Sequence, residues 1–87
     1  MTPEQEEALT KLGERGSTAA KRYIEILYER FPDLREDWEV GRFYDRTILV
    51  EVHITDIDRY GEIAEEMAPV SQDILEDTGE VVVAIAR

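Results

Sequence analysis

Two aspartates that flank one isoleucine, Asp56 and Asp58, are the first residues whose types and spacing could do chemistry. Two carboxylates that project from a strand end or a loop can hold Mg²⁺, because this ion prefers oxygen ligands. The same pair follows Thr55 and precedes a long apolar stripe at helical spacing, and aspartate is favoured at helix starts for capping alone. The sequence therefore offers a magnesium pair and a helix cap as alternatives, and the cap needs fewer assumptions.

Glu39, Glu51 and His53 form the second group with chemical potential. Each alternates with apolar residues, so two paired strands would place all three on one polar face, with Glu39 opposite His53. A carboxylate–imidazole group can bind a transition metal or shuttle protons. A closed metal site would need further ligands, so a solvated cross-strand charge pair is the simpler interpretation.

Nucleophilic and cofactor chemistry have little support in the sequence. It contains no cysteine and a single histidine, which removes thiol nucleophiles, thiolate metal ligands and disulfides. Neither a GxSxG nucleophile turn nor a glycine-rich phosphate loop is present. We therefore expect a protein that is not an enzyme and that needs no cofactor.

The charge balance restricts the partners. The 87 residues include 21 Asp and Glu against 10 Lys and Arg, which gives a formal net charge of -11. Such a field repels phosphate backbones and anionic membranes and attracts basic proteins or divalent cations. The N-terminus is acidic, and no apolar stretch approaches the about 18 residues of a membrane span. We expect a cytoplasmic protein with neither a membrane nor a nucleic-acid partner.

The N-terminal third predicts two helices. Thr2 begins a capping box, and an apolar stripe follows it at helical spacing. Gly13 and Gly16 then interrupt the stripe, since each glycine weakens a helix by roughly 1 kcal/mol. We expect the first helix to end at this break, and the second to begin with a cap at residues 17–18 and to end before Pro32.

Residues 37–54 predict a hairpin of two strands with alternating apolar side chains. A two-residue connection would pair Tyr44 with Thr47 and split the apolar residues between the faces. A three-residue connection pairs Tyr44 with Ile48 and gathers the apolar residues on one face, which is the favoured register. Arg42 then lies on that face near an edge, with its head extended to solvent. The apolar face comprises Trp38, Val40, Tyr44, Ile48, Val50, Val52 and Ile54.

Phe43 and Leu49 fall on the opposite, polar face, where this register places them side by side. An exposed apolar pair on a sheet usually marks an interface. We therefore predict a contact surface on this face, formed by Phe43 and Leu49 together with Glu39, Glu51 and His53.

The last third predicts one helix and one strand. An apolar stripe runs from Tyr60 to Leu75, and Pro69 inside it should kink or split the helix near Met67. Gly79 is suited to a left-handed cap at the helix end. Residues 81–86 are apolar at every position, which is typical of a central strand that is covered on both faces.

Together these elements predict a single α+β domain over residues 1–87, in the order ααββαβ. We expect a two-layer sandwich in which the helices cover one face of a three-stranded mixed sheet. The sheet combines an antiparallel hairpin with a last strand that runs parallel to the second, through a right-handed crossover. One uncovered face and two edges would then allow self-association.

Residues 41–86 resemble the minimal nucleotidyltransferase family. The segment from Asp45 to Val52 is similar to the strand of that family that carries an Asp-x-Asp motif, and the helix and glycine-capped strand that follow are also similar. The resemblance implies a nucleotide- and Mg²⁺-binding domain in which Asp45 is the first metal-binding carboxylate. Thr47 stands in place of the second carboxylate, and the Gly-Ser loop is missing, which implies a degenerate, non-catalytic relative.

The element order also resembles that of type II KH domains, which bind RNA through a GxxG loop. Residues 67–70 stand in place of that loop and lack the glycines. The leading hypothesis is therefore a small acidic interaction or assembly module that self-associates or binds a protein partner. Its contact surface would be the sheet face of Phe43 and Leu49 or the acidic last helix. A nucleotidyltransferase-like domain and a KH-like RNA-binding domain are the alternatives.

Overall fold

The computed structural model describes residues 1–44 and 46–87, and Asp45 lies outside the described residues. The elements follow the predicted order ααββαβ. They are α1 (Pro3–Lys11), α2 (Gly13–Arg30), β1 (Glu39–Phe43), β2 (Thr47–Val52), α3 (Ile57–Thr78) and β3 (Val81–Ala86).

The sheet has the strand order β1-β2-β3, with β1 antiparallel and β3 parallel to β2. The helices pack on the sheet, and the core lies between them and its inner face, which confirms the predicted α+β sandwich. The largest fully buried side chains come from all three helices and from β2 and β3. They are Leu9, Tyr23, Leu27, Ile48, Val50, Val52, Ile63, Met67, Ile74 and Val82.

The N-terminus of α1 carries the predicted capping box between Thr2 and Gln5. Gln5 is only 7% exposed, and its amide also donates to the carbonyls of Glu36 and Trp38, at 3.1 and 2.9 Å. A buried amide must find such partners, because an unsatisfied one costs free energy. Gln5 therefore both caps α1 and ties it to the chain that enters β1.

The break between the first two helices was predicted at the right place but with the wrong boundary. The second helix, α2, begins at Gly13, whose φ of 83° makes the sharp turn that an L side chain resists. Gly16 lies inside α2, and so do Ser17 and Thr18, which were expected to cap it. Gly13 thus makes the turn between the two helices. Gly16 lies inside α2, where the Arg42 side chain approaches the helix backbone closely.

The hairpin confirms the predicted faces but not the predicted pairing. Phe43 pairs with Thr47 and Val40 with Val50, so the connection starts one residue earlier than expected. Since every pairing moves by two residues, each strand residue keeps its predicted face. The exception is Tyr44, which lies in the connection and is 83% exposed rather than part of the apolar face.

Arg42 lies on the inner face, as predicted, but its head is anchored rather than extended to solvent. Its guanidinium donates to the carbonyl of Leu12, at the end of α1, and to the carboxylate of Glu80, both at 2.9 Å. The Arg42 and Glu80 side chains are 26% and 16% exposed. Through these two contacts, Arg42 joins the α1–α2 junction to the chain that enters β3.

The helix α3 is continuous over 22 residues, so the predicted split at Pro69 is wrong. Pro69 is exposed, and Arg30 donates to the carbonyl of Glu66 in the turn that the proline disturbs, at 3.2 Å. The predicted cap at the end is present, since Gly79 has a φ of 77°.

The last strand, β3, is an edge strand rather than the central strand that its composition predicts. The central strand is β2. An edge strand has no partner strand for one row of its backbone groups, so this difference bears directly on what the surface of the molecule can do.

Within residues 1–44 and 46–87, no helix is both long and apolar enough to cross a membrane.

Candidate interaction surface

The sheet has an outer face that points away from the helices, which we call the open face. Its residues stand in three cross-strand rows, set by the pairing of the strands: Glu39–Glu51–Ile85, Gly41–Leu49–Val83 and Phe43–Thr47–Val81. Among the described residues, all the helices contribute their buried side chains to the opposite side of the sheet. No helix in the described part of the chain therefore covers the open face.

The centre of the open face is apolar. Leu49, Val81, Val83 and Ile85 are each partly exposed there, and Phe43 at one end is 54% exposed. Strands lie about 4.8 Å apart and rise about 3.3 Å per residue, so the whole open face spans roughly 14 by 17 Å, and the apolar patch is part of it. A contiguous apolar patch on a small domain is the kind of surface that proteins use for contacts.

Phe43 and Leu49 lie on the same face, as predicted, but they are not side by side. Phe43 is paired with Thr47, and Leu49 with Gly41, so the two side chains are diagonal neighbours. The aromatic ring nearest to Phe43 belongs to Tyr44, at 4.3 Å between ring centroids. Two exposed aromatic rings therefore extend the apolar surface at the hairpin end.

The strand β3 supplies three of the five apolar side chains of this surface, which the sequence reasoning missed. Val81, Val83 and Ile85 stand beside Thr47, Leu49 and Glu51. The available signal was the uninterrupted apolar run of β3, which was interpreted as a covered central strand. The same run in an edge strand gives an apolar open face.

The polar end of the open face differs from the predicted arrangement. Glu39 lies opposite Glu51 and not opposite His53, which follows β2 directly. Directly opposed like charges destabilise a sheet, and Arg87 relieves this one with an ion pair to Glu39 at 2.6 Å and a second to Asp37 at 3.1 Å. The three predicted residues share one end of the face, but they do not converge.

The described residues contain no group of three or more His, Asp and Glu side chains that could hold a metal ion. Asp56 is the N-cap of α3, and its carboxylate accepts a hydrogen bond from the backbone N–H of Asp58 at 2.9 Å. The cap interpretation therefore accounts for the position of Asp56. The nucleotide-binding prediction for Asp45 falls outside the described residues.

A groove of about 400 Å³ runs between α3 and β3 and borders the open face. Its walls are mainly apolar and include Ala64, Ala68, Leu75, Val81 and Val83. Leu75 is 38% exposed. The apolar surface thus continues from the open face around β3 to the flank of α3.

Comparisons of the chain with protein-family models, with curated proteins and with solved structures gave no match.

Proposed function

We propose that this protein is a small, non-enzymatic interaction module of the cytoplasm that acts when its open face is covered by a second copy or by a protein partner. The observation that carries the proposal is the uncovered apolar centre of that face, formed by Leu49, Val81, Val83 and Ile85. Hydrophobic burial is the main driving force in protein association, so such a patch favours contact.

The size of the patch sets the strength of the contact. The whole open face covers only roughly 240 Å², and part of it is polar, so the apolar burial that it offers is small. Association costs about 4–15 kcal/mol in lost translational and rotational freedom alone. A contact limited to the centre of the face is therefore weak, and a tight one must include the aromatic end or the groove beside β3, because stable interfaces bury about 800 Å² per partner.

The proposal is tested by sedimentation velocity over a wide concentration range, on the wild type and on Phe43→Ser/Leu49→Ser. We expect the wild type to associate with increasing concentration and the double variant to associate at least fivefold more weakly. Ile57→Ser is the matched control, because Ile57 is 82% exposed on α3 and lies off the open face.

Light scattering of the same samples measures the mass of the species formed. A strictly monomeric wild type, together with a double variant that changes no contact, would remove self-association through this face. Equal weakening by Ile57→Ser would show that exposed apolar area in general, and not the open face, drives the association.

A further inference from the structure

The free edge of β3 presents a defined set of backbone groups. In a parallel pair, alternate residues of each strand direct both N–H and C=O towards the partner strand. The N–H of Arg87 donates to the carbonyl of Val52 in β2, at 2.9 Å. The odd-numbered residues of β3 therefore face β2, and the even-numbered residues Val82, Ala84 and Ala86 direct their backbone groups to the free edge.

Side chains from α3 bind two of the three carbonyls at this edge. The Ser71 hydroxyl donates to the carbonyl of Val82 at 2.7 Å, and the Tyr60 hydroxyl donates to that of Ala84 at 3.3 Å. The Tyr23 hydroxyl lies in the same cluster and is buried. Burial raises the pKa of Tyr23 to about 12, against the opposing effect of hydrogen bonds to the Ala84 backbone and to Ser71.

Without these groups, β3 would be well suited to pair with another strand. The strand has six apolar residues, four of them β-branched, with neither a charge nor a proline, which is the composition of edges that recruit further strands. Proteins commonly protect such an edge by covering it with a helix or loop.

We infer that α3 closes the free edge of β3 through Tyr60 and Ser71, so that other chains meet the open face and do not add a strand at β3. The closure follows from the hydrogen bonds above; only the use of the open face rests on the proposed function. A strand that paired with β3 would have to lie about 4.8 Å from it, and it would compete with these two hydroxyls for the carbonyls of Val82 and Ala84.

The test is an open-edge variant, Tyr60→Ala/Ser71→Ala, which removes both hydroxyls and the ring. Its matched control is Tyr28→Ala/Thr18→Ala, because Tyr28 and Thr18 also donate to backbone carbonyls, at 2.6 and 2.9 Å, but lie on α2. The open-edge variant and its control are each prepared without and with the open-face substitutions Phe43→Ser/Leu49→Ser. Association is measured by sedimentation velocity, and folding by circular dichroism.

We expect the open-edge variant to associate at least tenfold more tightly than its control, with or without the open-face substitutions. The amide NMR signals of Val82 and Ala84 should then shift with protein concentration, which places the new contact at the edge. Tyr60→Phe/Ser71→Ala keeps the ring and the packing, so it should remain folded and associate at least threefold more tightly than the control.

Two outcomes distinguish the closure of the β3 edge from the proposed function of the open face. If Tyr60→Phe/Ser71→Ala is folded and neither edge variant associates more tightly than the control, the closure of the edge is wrong. If the edge variants behave as expected while the open-face substitutions change nothing, the closure stands and the proposed function fails.

Discussion

At Gly16, the α2 backbone passes directly over the guanidinium of Arg42. An ideal Cβ at this position would lie 2.5 Å from Nη2 of Arg42 and 3.0 Å from Cβ of Leu12. The Arg42 head is held in place by Leu12 and Glu80, so it has little room to retreat. The glycine is thus explained by a contact with a residue 26 positions later in the sequence, which no local pattern reveals.

We predict that Gly16→Ala lowers the free energy of unfolding by up to about 2 kcal/mol, because an overpacking cost of about 1–3 kcal/mol outweighs the about 1 kcal/mol that alanine contributes to a helix. Gly61→Ala is the control, since nothing lies within 4 Å of its Cβ; it should stabilise the protein by about 0.5–1 kcal/mol. Urea unfolding measures both. A stabilised Gly16→Ala would mean that Arg42 moves aside freely.

At the scale of elements, local rules predicted the features that depend on local chemistry. The Thr2 capping box, the Asp56 cap, the Gly79 cap and the alternating faces of the hairpin are all present. The errors concern elements whose state depends on tertiary packing. Tyr44 adopts a φ of 54°, which a bulky residue rarely does, so the start of the connection left no signal in the sequence.

The same holds for β3 and for the contact surface. An apolar run identifies a strand that needs cover, but it does not say whether a strand or a helix provides it. Here α3 covers the edge through side-chain hydroxyls, so a strand with a central composition is stable at the edge. For this reason Phe43 and Leu49 were found from the sequence, whereas Val81, Val83 and Ile85 were not.

The continuous α3 gives a prediction for Pro69. A proline inside a helix removes one hydrogen bond and crowds the preceding turn, at a cost of about 3 kcal/mol. Because Pro69 is exposed, Pro69→Ala should restore that bond without disturbing the core, and should raise the free energy of unfolding by about 1–3 kcal/mol. Ala68→Ser, at the exposed neighbouring position, is the control and should change it by less than about 0.7 kcal/mol. An unchanged or lowered stability of Pro69→Ala, measured by urea unfolding, would indicate that α3 and its neighbours are packed around a bend at the proline.

At the scale of the whole molecule, the charge of -11 and the apolar open face act in opposite directions. Two copies repel each other through their net charge, whereas the centre of the open face attracts. Repulsion between exposed charges is screened over about 30 Å at 0.01 M salt but over about 8 Å at 0.15 M. Apolar burial has no such dependence on screening. The salt dependence of self-association therefore shows whether apolar contact or attraction between opposite charges joins the copies.

We predict that self-association tightens severalfold between 10 and 150 mM NaCl, because salt weakens the repulsion and leaves the apolar contact in place. Glu39→Gln/Glu51→Gln removes two acids from the polar end of the open face, so it should tighten association at low salt and reduce the salt dependence. Glu4→Gln/Glu7→Gln is the matched control, since it removes the same charge from α1. Sedimentation equilibrium at several salt concentrations measures the association constants. If the association constant falls as salt rises, opposite charges hold the copies together, and the apolar centre of the open face is not the surface that joins them.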